Sequence, residues 1–239
     1  MQTIGLYDSA MASTFQRARS DEQRALRRQT ILDTAAAMLE EMSVAEISLN
    51  ELSRRVGLAK SNVLRYFDSR EAVLLELLAR EVDGWLAHLE AELPGAVRRR
   101  AGFDRRAQQL AGALATSLAE RPVLCDLMSA QAAVLEHNVS VEAVTRHKLA
   151  GLEQAEVLSG LLRTALPELG EEGAWKYLIA AFLMTAALWA HACPPQAVLE
   201  ACAADERIAR MHLDFHDALA DYLTTVAIGL GARRRPRSL

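Results

Sequence analysis

The stretch Lys60–Phe67 places Lys60, Ser61, Asn62, Leu64 and Arg65 within six residues. These side chains suit the reading of DNA bases. Asn pairs bidentately with adenine, Arg pairs with guanine O6 and N7, and an apolar group such as Leu64 meets a thymine methyl. Ser and Lys also hold phosphates, as do backbone N–H groups at a helix start. At about 100° per residue of a helix, Val63 and Phe67 fall on one side, joined by Ala59. Ser61, Asn62 and Arg65 cluster opposite, with Lys60 at the helix start and Leu64 and Tyr66 flanking. Ser48, Arg54, Tyr66 and Arg70 are the candidates for the duplex backbone. Taken alone, such residues also describe an ordinary solvated helix. Their spacing, their caps and the split between inner and outer sides favour the DNA reading.

The whole chain carries a formal charge of −4 over 239 residues. DNA responds to the charge of one face, however, and residues 52–67 hold Arg54, Arg55, Lys60 and Arg65 with no acid. Other chemistries find little support. His212 and His216 are four apart beside Asp217, yet there is no His-Glu-x-x-His pattern and no third ligand, so no metal site is expected. No nucleophile elbow or phosphate-cradling glycine loop is present, so no enzyme and no cofactor are expected. Cys125 reads as a small apolar core residue. Cys125, Cys193 and Cys202 are odd in number and widely spaced, which points to a reducing cytoplasm rather than a disulfide framework. The longest nearly apolar run, Leu178–Ala190, is broken by Thr185 and too short to span a bilayer. No membrane partner is expected.

The elements that position these residues are all helical. Hydrophobic residues make up 51% of the chain, with Ala and Leu dominant and aromatics sparse. Residues 1–19 read as a loose tail. Ser20 and Gln23 form a capping box before a helix from about Asp21 to Met42. Ser48 and Glu51 form a second box before a short helix that Gly57 ends. A further short helix fits Lys60–Phe67. Asp68 or Ser69 then caps a fourth, ended by Pro94-Gly95. Later helices are expected at about Phe103–Glu120, Pro122–Glu136, Ser140–Leu166, Glu171–His191, Gln196–Ala203 and Asp205–Ile228, before a basic tail at residues 231–239. Two short helices joined by a glycine turn behind a longer helix describe a helix-turn-helix, whose second helix enters the major groove.

Residues 28–78 resemble the N-terminal domain of the TetR/AcrR family of regulators. The resemblance rests on SLNELSRRVGLAKSNVLRYFDSREAVLLELL. It keeps a Ser cap, a short helix, Gly, a recognition helix ending in Tyr-Phe, then Ser-Arg-Glu and a Leu-rich helix. Ala59 stands where the family often has a capping Ser, and Leu64 where a Tyr that grips the backbone is frequent. Tyr66 is taken as its substitute. The family implies an all-α chain of two parts. Residues 20–69 would be a three-helix helix-turn-helix domain, and residues 70–230 a helical domain for effector binding and dimerisation. It also implies a homodimer on a palindromic DNA operator, most simply a repressor released by a small-molecule effector. An activator or an effector-independent DNA-organising protein remains the alternative.

The apolar circumference of Leu178–Ala190 requires cover on both sides, and a partner subunit would supply one. With the stripe Ile208, Met211, Phe215, Leu219, Tyr222 and Val226, this predicts a four-helix dimer interface. Its expected members are Leu178, Phe182, Trp189, Met211, Phe215, Leu219 and Tyr222. An effector pocket is expected between Arg70 and His191. Trp85, Phe103, Met128, Gln131, His147 and Trp175 are its candidate lining, although each also suits ordinary core or surface.

Overall fold

The computed structural model describes the backbone of residues 5–234 and the side chains of residues 21–233. Residues 1–4 and 235–239, the ends of the two expected tails, lie outside the described residues. All regular elements among the described residues are helices. The first, α1, runs Gly5–Leu39, well ahead of the start expected at Asp21. The stretch before Asp21 has no Pro and continues in Ala, Met, Gln and Arg, so helix propensity carries the helix through the Ser20 box.

Two short helices, α2 (Leu49–Val56) and α3 (Lys60–Val63), follow. The long α4 (Arg70–Ala96) is capped by the Ser69 hydroxyl, which accepts from Ala72 N at 3.1 Å. Its 27 residues extend about 40 Å at 1.5 Å per residue, enough to join both halves of the chain. Ile31, Ala35 and Met38 of α1, Leu52 of α2, Val63 of α3 and Val73, Leu74 and Leu77 of α4 are fully buried in one cluster. That cluster fixes the short helices, which are too brief to be stable in isolation.

The second half is a bundle. α5 (Phe103–Ala119) and α6 (Pro122–Ala130) precede a π-helical turn, Gln131–Leu135, where one unbroken helix to Glu136 was expected. The turn is closed by Glu136 N donating to Gln131 O at 3.1 Å. Asn138 then adopts a left-handed φ of 51°, the expected break. Ser140 caps α7 (Val141–Ala165) through Ala143 N at 3.2 Å. α8 (Gly170–Ala192) follows a 3₁₀ turn at Pro167–Leu169. By length and composition the stretch Pro167–Ala192 could cross a membrane, which the shorter run read from sequence understated. Here Tyr177, Ala181, Thr185 and Leu188 bury one side of it in the bundle.

The short helix expected at Gln196–Ala203 forms, but the long one expected at Asp205–Ile228 is split. α9 (Gln196–Ala204) and the one-turn α10 (Glu206–Ala209) are separated from α11 (Phe215–Arg234) by a non-helical stretch. Two Asp side chains make the break. Asp205 accepts from Arg207 N at 2.8 Å, and Asp214 accepts from Asp217 N at 2.8 Å. Each therefore starts a new helix rather than continuing an old one. α11 then runs through Gly231 to Arg234, into what was expected to be a tail. Phe215, Leu219, Leu223 and Ala227, four apart in succession, bury against α5 and α8.

Candidate nucleic-acid interface and ligand cavity

The helix-turn-helix is set by local chemistry. Ser48 Oγ accepts from Glu51 N at 3.1 Å, so the expected cap forms. Gly57 has φ 72°, and its N–H closes α2 onto Arg54 O. A side chain at that left-handed position would strain the backbone. Only Lys60–Val63 is regular α-helix, one turn instead of the expected two. Turns continue the curve, with Tyr66 N and Phe67 N both donating to Val63 O at 2.9 and 3.1 Å. Val63 and Phe67 are buried as expected, but Ala59 is exposed and does not join them. Ala59 is the extended N-cap residue and makes no side-chain cap. Lys60, Ser61, Asn62, Leu64 and Arg65 are all exposed, and Tyr66 is half-buried.

The electrostatics differ from a simple count of cations. Arg54 chelates Glu51 through Nε and Nη2 at 2.8 and 2.6 Å. Arg55 bridges Glu51 at 3.0 Å and Glu41 at 2.7 Å. These guanidinium hydrogen bonds hold the Glu51 carboxyl down at about 2. Glu51, one residue outside the window counted, thus answers much of its charge. Among the described residues, Lys60 and Arg65 are the two cations of that window with no ion pair. Arg70 is also committed elsewhere. Its guanidinium donates to Ile47 O at 2.7 Å and pairs with Glu71 at 3.0 Å. It braces the loop before α2 from its place at the start of α4.

One supporting residue escaped the sequence reading. Arg28 donates to Tyr66 O, pairs with Glu76, and lies 4.3 Å above the Phe67 ring. It clamps the end of the recognition segment to α4. A basic cleft beside that segment is lined by Arg24, Arg27, Arg65 and Tyr66. The spacing of Arg24, Arg27 and Arg28 along one helix was the available signal.

The bundle encloses a second feature, a cavity of about 220 Å³. Trp85, Met128, Gln131 and His147 line it as expected. Phe103 and Trp175 do not. Phe103 packs on Gly231 of α11, and Trp175 is half-buried away from the lining. Leu78, Leu158, Tyr177 and Thr185 are among the other lining residues and were not foreseen, because core and lining share one hydrophobic period. Gln131 Nε2 meets His147 Nε2 at 3.1 Å and also donates to Glu136. An amide nitrogen only donates, so the imidazole Nε2 accepts and the ring is neutral. Burial first, and then the charge of Lys148, hold the His147 pKa below its usual value.

Two hydrogen bonds tie this half to the reading head. Asp126 Oδ2 of α6 accepts from Val44 N at 2.9 Å. Ser140 Oγ, at the start of α7, donates to Asp68 Oδ2 at 2.7 Å.

The expected interface residues divide. Phe215 and Leu219 are buried within the protomer, and Trp189 meets Phe215 edge-on with ring centroids 5.1 Å apart. Leu178 is half-buried and lines the cavity. Phe182, Met211 and Tyr222 are exposed, together with Ile179, Leu183 and Ile228. The two histidines also separate. His212 precedes α11 and shares no helical face with His216, whose ring nitrogens meet Asp217 at 2.9 Å and Thr116 at 3.1 Å. Asp214, His216 and Asp217 lie close enough to share an ion, but Asp214 already serves as the α11 cap. Burial pushes the Cys125 thiol up to about 12, so it stays an apolar filler.

Comparison with known proteins matches both halves. Residues 31–77 match the family described as bacterial regulatory proteins, tetR family, and residues 79–234 the tetracyclin repressor-like C-terminal domain. The HTH-type transcriptional regulator EthR of Mycobacterium tuberculosis is 43% identical over 53 residues, 22% of this chain and 24% of that protein. The alignment thus spans about a quarter of that relative. A TetR transcriptional regulator from Rhodococcus sp. RHA1 superposes with a TM-score of 0.55 at 16% identity, covering 87% of this chain and 96% of that one. A possible TetR family regulator from Streptomyces coelicolor A3(2) gives 0.54 at 20% identity, covering 88% and 99%. These two likenesses concern the fold. The family matches together cover nearly all of the described chain, and the protein belongs to the TetR family of bacterial transcriptional regulators.

Proposed function

We propose that the protein is a homodimeric repressor that leaves a palindromic DNA operator when a small molecule enters the bundle cavity. The observation that carries this reading is that α4 and α6 each serve both halves. α4 starts beside the recognition segment and supplies Leu78, Val82 and Trp85 to the cavity wall. α6 holds the loop before α2 through Asp126 and reaches the cavity with Met128. A ligand that shifts either helix changes the pose of the reading head, so one equilibrium serves both sites.

In this reading Asn62, Arg65, Lys60, Ser61 and Leu64 meet base edges in the major groove. Ser48, Arg54 and Tyr66 contact phosphates, with Arg24 and Arg27 beside them. The second subunit docks on the exposed apolar residues of α8 and α11, among them Ile179, Leu183 and Tyr222. A two-fold dimer presents two recognition segments to successive major grooves. The reading contains no chemical step and no cofactor. Gel shifts with genome-selected and random DNA over a salt series test it. Selective binding that weakens with salt supports the reading. Equal affinity for both DNAs overturns it in favour of a non-specific DNA-organising protein.

A further inference from the structure

The cavity wall is apolar at most positions, and most of its polar side chains already have partners. Trp85 Nε1 donates to Ser117 Oγ at 2.9 Å. Gln154 Nε2 donates to Ala79 O and Asp83. Lys148 pairs with Glu136. Two hydroxyls on α8 differ. Tyr177 and Thr185 are both 0% exposed and line the cavity from one side of the helix. Neither hydroxyl oxygen has a hydrogen-bond partner among the described residues, and His147 Nδ1 on the facing α7 is a third such buried atom of the lining. Thr185 is also unlike the helical threonines around it. Thr30, Thr34, Thr164 and Thr224 each return the hydroxyl to the carbonyl four residues back. Buried polar groups are almost always bonded, so two unbonded hydroxyls on one cavity wall require an account.

We infer that the cavity takes an uncharged, mainly apolar molecule whose hydroxyl or carbonyl group bonds one of these two hydroxyls, Tyr177 Oη or Thr185 Oγ1. This rests on the reading of the cavity as the effector site. A carboxylate is disfavoured, because the lining's one cation is already paired and a buried charge needs a partner. Size sets a second limit. A cavity of ~150 Å³ holds benzene, so about 220 Å³ admits roughly nine or ten non-hydrogen atoms, one ring with a short chain.

The test uses 4-propylphenol, propylbenzene and 4-methylbenzoate as probes of the full-length protein, by calorimetry without DNA. The phenol is expected to bind about tenfold or more tightly than either other probe. Tyr177→Phe and Thr185→Val keep the shape and remove the hydroxyls. The variant that removes the bonded hydroxyl is expected to lower phenol affinity about tenfold, and both are expected to leave propylbenzene binding unchanged. Without ligand, each variant should melt about 2–4 °C higher, because an unpartnered buried group has been removed. Equal binding of the hydrocarbon, preference for the carboxylate, or no binding of any probe overturns the inference. So does unchanged phenol affinity in both variants, or a lower melting temperature in both. Gel shifts run in parallel separate the two readings. A phenol that binds as stated yet leaves the operator complex intact sustains the inference and overturns effector release.

Discussion

Arg65 and Asn62 stand on the exposed side of a segment whose other side, Val63 and Phe67, is sealed in the core. Their side chains therefore have no structural duty that competes with base reading. Arg65→Ala is expected to weaken operator binding by about 1–3 kcal/mol and to relax preference at one base pair, measured by anisotropy on a set of single-base operator variants. Unaltered affinity in both Arg65→Ala and Asn62→Ala would remove them from the interface. Arg28 and Arg70 behave differently, because their guanidinium groups hold backbone carbonyls inside the protomer. His147 gives the bundle a pH dependence close to neutrality. Its folded pKa lies below the ordinary 6.5, so the unfolded chain takes up the proton first. Its contribution to stability is complete above 6.5 and is lost as pH falls below that value through the lower folded pKa. Melting temperatures of wild type and His147→Gln should therefore diverge at neutral pH and converge as the buffer is acidified.

At the scale of elements, α2 and α3 exist because their ends are fixed. Ser48→Ala removes the bond from Glu51 N and should cost about 1 kcal/mol in chemical denaturation. α6 touches both domains, the loop before α2 through Asp126 and the cavity through Met128. Asp126→Ala frees the Val44 amide while touching neither the proposed base contacts nor the cavity lining. Operator affinity without ligand should change little, whereas the fold-change that a bound ligand produces should shrink. A ligand response of undiminished size would show that α4 alone carries the coupling. The π turn after α6 places Gln131 against His147, where an α-helical course would shift every following side chain by one register.

For the whole molecule, the proposed reading has assembly decide affinity. Ile179 and Leu183 are 52% and 60% exposed on α8, on a helix whose opposite side is fully packed. Exposed apolar residues grouped in this way mark an interaction surface. Leu183→Glu is expected to give a monomer in light scattering and to lower operator affinity on the order of 100-fold, because two linked half-site contacts become one. A dimer that persists with Ile179→Glu and Leu183→Glu combined would place the interface elsewhere. Neither residue lines the cavity, so ligand binding to the protomer provides the control for folding.

The sequence alone determined what depends on neighbours along the chain. Helical class, the caps at Ser48, Ser69 and Ser140, the turn at Gly57 and the outward face of Lys60–Arg65 all follow from residue type and periods of a few residues. The tertiary structure decided what depends on distant partners. Phe215 and Leu219 share a period with an interface stripe, and only the packing of α11 on α5 and α8 turns them inward. Arg55 and Arg70 meet Glu41 and the Ile47 carbonyl only in the folded chain, whereas the pairs with Glu51 and Glu71 lie within four residues. Tyr177 and Thr185 look like core until the bundle leaves a cavity beside them and their hydroxyls without partners. Hydrophobic periodicity states which side of a helix is dry, but only the assembled bundle states whether protein, ligand or a second subunit keeps it so.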